Sequence, residues 1–186
     1  MTSRDDLALE GDDPTAVFVA DEQSDVRVQA ERWARLARLV LHEENIREDA
    51  ELSLLFVDEA TISQLNERFL ARTGPTDVLA FPMEDDIAEA GRRPDQGGRG
   101  PGASGESVEP PLLVGDVVIC PLVAQRQAPD HAGPRHAGTV EDEIAVLVVH
   151  GVLHVLGFDH EDDEDARVMA SREQELLDLF RSSGEG

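Results

Sequence analysis

The sequence contains no lysine: all 16 basic residues are arginine, set against 40 acidic residues for a formal charge of -24. We read the missing lysine as a mark of GC-rich coding. A chain this acidic repels phosphate backbones at long range, so any contact with nucleic acid must be local, made by a few arginines or a metal ion. The acidic excess itself serves solubility. Cysteine is nearly absent, and the lone Cys120 excludes both a disulfide framework and a cysteine-based zinc ribbon. The opening MTSRDDLALEGDDP has no basic segment followed by an apolar run, so no signal peptide is expected. No apolar stretch approaches the roughly 20 residues that span a bilayer. Together these absences predict a soluble cytoplasmic protein with no membrane partner.

At 186 residues the chain is long enough for one domain with a sizeable core, held without disulfides. Residues 1–13 read as a disordered acidic tail, 14–183 as a single domain, and about 84–112 as a flexible insertion within it. The insertion carries six Gly and four Pro and almost no apolar residues, too few to offset the cost of ordering. Strands are expected at Ala16–Ala20, Leu52–Val57, Asp77–Phe81 and Val114–Ile119. The Leu52–Val57 run (LSLLFV) lacks alternation and so predicts a strand buried on both faces. Helical spacing of Val28, Trp33, Leu36, Leu39 and Val40 predicts an amphipathic helix capped at Ser24 or Asp25, with Arg27, Arg32, Arg35 and Arg38 on its wet face. Further helices are expected after Asp58, after Pro121 and from Asp163 to Phe180. Four strands with helices that do not strictly alternate between them give an α+β class.

Thr139, Asp142 and Glu143 mark the start of a helix over Ile144–Leu156 that is apolar nearly all round and belongs at the centre of the fold. Gly157 supplies its left-handed stop. His131 and His136, in the Pro/Gly-rich segment before it, read as solvated loop histidines.

That helix carries the chemistry. Three of the six histidines fall within HGVLHVLGFDH: His150, His154 and His160. Spacing by four puts His150 and His154 one above the other on a single helix face, where two imidazoles can bind one metal from a rigid support. Past Gly157 the chain can return His160 to complete three nitrogen ligands, matching a catalytic zinc whose fourth position is left to water. Zinc peptidases place a Glu directly after the first histidine, but here that residue is Gly151, which accepts no proton. Asp159 is the one carboxylate inside the motif, positioned to orient a ligand imidazole or handle a proton.

Three blocks of sequence resemble the YbeY family of bacterial zinc-dependent endoribonucleases. LNERFLARTGPTDVLAFP (Leu65–Pro82) is similar to the family's Leu-Asn helix and following strand, VGDVVIC (Val114–Cys120) to its Gly-Asp strand, and HGVLHVLGFDH (His150–His160) to its metal motif. The resemblance implies an α+β fold with a small mixed four-stranded sheet and the metal helix at its centre. It also implies cleavage of single-stranded RNA, maturation of the 3′ end of small-subunit ribosomal RNA, and ribosome quality control, with RNA and the small subunit as partners and not DNA. By the same resemblance His150, His154 and His160 hold one zinc ion, and Thr76 and Asp77 belong to the substrate groove. The family's assisting arginine, four residues after the Asn of the Leu-Asn pair, falls on Leu70, so Arg68 or Arg72 must reach that space if an arginine acts there. Two alternatives follow: a zinc-containing ribosome assembly factor without activity, and a metallopeptidase, the latter weakened by Gly151.

Overall fold

The computed structural model describes residues 15–83, 111–158 and 162–184; the expected tail and residues 84–110 of the expected insertion lie outside them, while Leu112, expected to end the insertion, is buried and opens a strand. Its elements run β1 (Ala16–Asp21), α1 (Ala30–Glu43), β2 (Ala50–Phe56), α2 (Glu59–Leu70), β3 (Val78–Pro82), β4 (Leu112–Ile119), α3 (Pro121–Gln127), a 3-10 turn (Ala128–His131), α4 (Val140–Val155) and α5 (Asp163–Ser182). The strands form one mixed sheet in the order β1-β2-β4-β3. β1, β2 and β4 are parallel, while β3 closes one edge antiparallel to β4. This is the expected single-domain α+β architecture.

The two faces of the sheet are covered unequally. Against one face, α1 and α4 bury Trp33, Leu36, Val40, Leu52, Leu54, Val117, Val148 and Val152 in the main core. On the other, α2 and α3 contribute a smaller cluster of Val57, Ile62, Leu79, Val118, Cys120 and Val123. β2 therefore departs from the sequence expectation: alternate residues Ala50, Leu52, Leu54 and Phe56 are buried, and those between them only partly. LSLLFV is apolar on both sides, but the α2 side is a thinner layer. Burial raises the Cys120 thiol above its ordinary value, so this cysteine is an inert core residue.

α1 begins at Ala30, later than the expected cap at Ser24 or Asp25. The Gln23 side chain explains the delay. Its Oε1 accepts from the backbone N–H groups of Asp25 and Val26, and its Nε2 donates to the Val26 carbonyl. Those bonds hold residues 23–26 in a local turn and compete with helix formation.

α4 forms where its sequence dictates. Thr139 takes the N-cap and its Oγ1 accepts from the Asp142 N–H at 3.1 Å, while Glu141, Asp142 and Glu143 occupy the first turn. At the far end Gly157 adopts φ 91°. Its N–H reaches the His154 carbonyl and the Phe158 N–H reaches that of Leu153, both at 3.0 Å, completing a Schellman motif. The helix that presents the histidine pair is thus closed at both ends.

Candidate metal centre

His150 and His154 lie one turn apart near the C-terminal end of α4, both partly buried, with ring centroids 4.5 Å apart and planes at 73°. The helix is held at this site by packing. A side chain at Gly151 would place its Cβ 2.5 Å from Val117 Cγ1 of β4, so residue 151 faces the sheet and its glycine lets helix and strand approach closely. A glutamate there would point into the core and not along the histidine face, which removes the general base that a peptidase of the usual zinc type requires.

The imidazole of His150 is oriented from a second helix. Its Nδ1 lies 2.6 Å from Glu173 Oε1 of α5, with the Glu173 side chain only 18 % exposed. A carboxylate at this distance makes Nδ1 the proton-bearing nitrogen and turns the Nε2 lone pair outward. Two neighbouring imidazoles, one with its tautomer set by a carboxylate, fit a zinc ion in donor chemistry. Among the described residues no group of three or more His, Cys, Asp and Glu converges as a metal site, and His160 and Asp159 lie outside them.

The remaining candidates are more dispersed. Thr76 Oγ1 donates to Asp77 Oδ1 at 3.0 Å, and the same oxygen accepts the Val78 N–H at 2.9 Å, so both side chains knot the entry to β3. Arg68 sits on the exposed last turn of α2, its guanidinium 5.2 Å from the Phe69 ring, which in turn packs edge-on against Phe81 at 5.1 Å. Leu70, at the position of the family arginine, is 49 % exposed. The helix ends at Ala71 in the left-handed conformation, and exposed Arg72 follows.

His131 is exposed, as its Pro/Gly-rich setting predicts, whereas the His136 side chain is only 12 % exposed. Both converge on Glu143, whose side chain is 3 % exposed: His131 Nδ1 lies 2.8 Å from Oε2 and His136 Nε2 3.1 Å from it. His136 Nδ1 accepts the Gly138 N–H at 3.0 Å, which leaves Nε2 as its proton-bearing nitrogen, near the carboxylate but out of line for a hydrogen bond with it. A buried carboxylate needs such partners, and these two tie the preceding turn to the first turn of α4.

The hydrogen bond and charge of Glu143, with smaller effects from Asp130 and Asp77, raise the pKa of His131 above its ordinary 6.5. A raised folded-state pKa gives stability that is fully present below the ordinary value and is lost as pH rises through the raised one. The melting temperature is therefore expected to fall as pH rises from the ordinary value of about 6.5 through the raised one, with His131→Gln flattening that part of the profile. The change is small because the His131 side chain is 55 % exposed and solvent screens the pair. An unchanged slope in the variant contradicts the assignment.

The fold and these residues define a class: a small α+β protein whose central helix presents a histidine pair braced by a carboxylate. Comparison with known proteins gives the family. The family model described as Endoribonuclease YbeY matches residues 18–181. A protein named Endoribonuclease YbeY from Thermobifida fusca is 43% identical over 168 residues, covering 90% of this chain and 96% of its own. Another so named, from Acidothermus cellulolyticus, is 41% identical over 170 residues, covering 89% of this chain and 92% of its own. The solution structure of a Thermotoga maritima protein matches in fold with a TM-score of 0.52 at 21% identity, covering 91% of this chain and 94% of that one. The chain belongs to the Endoribonuclease YbeY family of hydrolases.

Sequence reasoning misses Glu173 and gives Glu143 only a place at the helix start, yet both carry the same signal of a bracing role. Each is an acid on an otherwise buried helical stripe: Glu173 between Met169 and Leu176, Leu177 and Phe180, and Glu143 beside Ile144 and Leu147. A charge on an apolar stripe requires a partner.

Proposed function

We propose that this chain is a single-strand-specific, metal-dependent endoribonuclease of the cytoplasm that matures the 3′ end of small-subunit ribosomal RNA and takes part in ribosome quality control. The observation that carries the proposal is the His150–His154 pair, with Glu173 on His150, in a chain of this family. His150 and His154 would hold one zinc ion through their outward nitrogens, and His160 would supply the third. Such an ion supplies polarisation of a phosphoryl oxygen and a water of lowered pKa. α4 keeps the two imidazoles at fixed separation, and Glu173 holds the proton on His150 Nδ1 so that its other nitrogen remains a donor of electrons. Asp159, within the same stretch of sequence, would manage a proton. Arg68 and Arg72, in a chain of charge -24, are local cations for the RNA backbone, and Thr76 and Asp77 would line the groove that receives it.

Single-stranded substrate follows from the chemistry, because a reactive centre beside a groove needs a flexible backbone and unpaired bases. The test is cleavage of an end-labelled unstructured RNA, its duplex and the matching DNA. Rapid cutting of the first alone is expected, and equal cutting of RNA and DNA, or of single strand and duplex, overturns the reading. Two features favour a second reading, an assembly factor without turnover: the charge of -24, which suits basic ribosomal proteins, and Leu70 in place of an arginine. That reading predicts association with the small subunit and no cutting of any RNA.

A further inference from the structure

We infer that Glu173 is a positioning residue that fixes the His150 tautomer and thereby sets the affinity of the histidine site for zinc. The inference rests on the metal-dependent reading above. It begins with a contact between residues 23 positions apart: Glu173 Oε1 on α5 meets His150 Nδ1 on α4 at 2.6 Å, the length of a charge-assisted bond. Both side chains are shielded, at 18 % exposure for Glu173 and 31 % for His150, so water competes weakly for either group.

Glu173 is also held from behind. Its neighbour Arg172 donates through Nε to Glu44 Oε1 at 2.6 Å and through a terminal nitrogen to the Glu43 carbonyl at 3.2 Å, fastening α5 to the end of α1. Met169, Leu176, Leu177 and Phe180 bury the same face of α5 in the core. The carboxylate is therefore presented from a fixed backbone. A free imidazole exchanges its proton between two nitrogens, and only the unprotonated one binds a metal. With Glu173 accepting from Nδ1–H, Nε2 is the donor and the ring plane is set.

The test measures zinc affinity of the full chain by competition with a chromophoric chelator, together with the ¹⁵N signature of the His150 ring in zinc-free protein. Glu173→Ala is expected to weaken zinc binding about 10- to 100-fold and to lose the Nδ1–H signature. Glu173→Gln, which keeps an acceptor of the same shape without the charge, should retain that signature with intermediate affinity, and the zinc-free melting temperature of Glu173→Gln should match wild type. Wild-type affinity in both Glu173 variants overturns the inference, as does a loss of affinity that follows melting temperature while the tautomer is unchanged. Should Glu173→Ala fail to fold, Glu173→Gln decides by its affinity alone. His150→Ala and His154→Ala in the same titration separate the two levels. If they bind zinc as tightly as wild type, the metal reading itself fails. If they lose zinc while the Glu173 variants keep it, only the positioning role fails.

Discussion

His154→Ala is expected to reduce cleavage of an unstructured RNA more than about 100-fold, because removing the direct ligand proposed above should exceed the 10- to 100-fold loss typical of removing a group that merely orients one. The fold should survive. His154 is only partly buried, its helix is closed by the Thr139 cap and the Gly157 turn, and alanine is the better helix former. Circular dichroism and melting of the variant should therefore match wild type within a few degrees. The two proteins must be purified identically, since contaminating nucleases imitate this activity. Equal cutting by both would remove the histidine pair from the reaction.

Gly115→Ala is expected to cost about 3 kcal/mol or more of stability, without any residue of the histidine site being touched. Gly115 adopts φ +145° where β4 carries an extra residue opposite the Glu51–Leu52 step of β2. A Cβ built there lies 2.3 Å from the Phe81 carbonyl oxygen, 2.9 Å from Val155 Cγ1 and 3.1 Å from Pro82 Cα. Two of the three obstacles are backbone, so rotamer changes offer no relief. The bulge, the edge strand β3 and the end of α4 next to His154 meet at this glycine. Urea unfolding should show a lower midpoint, and a midpoint within error of wild type contradicts the packing described.

What could be read from the sequence was what local chemistry decides. The cap at Thr139, the all-round apolar character of α4 and the stop at Gly157 are short-range features, and they placed the helix and its two histidines. The start of α1 was misread for an equally local reason: one glutamine side chain occupies the backbone groups that a helix beginning at Ser24 would need. β2 was misread because an apolar run does not state how thick a layer covers each face. The bracing carboxylates were invisible for a different reason. Glu173 reaches His150 across 23 residues and Glu143 reaches His131 across 12, and these partners are set by how helices and turns pack. Helical periodicity marks such an acid as needing a partner but does not name it.

The most direct measurement strips the protein with a chelator and titrates zinc back while following the initial rate of cleavage of a single-stranded RNA. The rate should fall to background in the stripped protein and return in proportion to zinc up to one equivalent per chain, with no response from His154→Ala. A stripped protein that cuts at the wild-type rate would contradict the account.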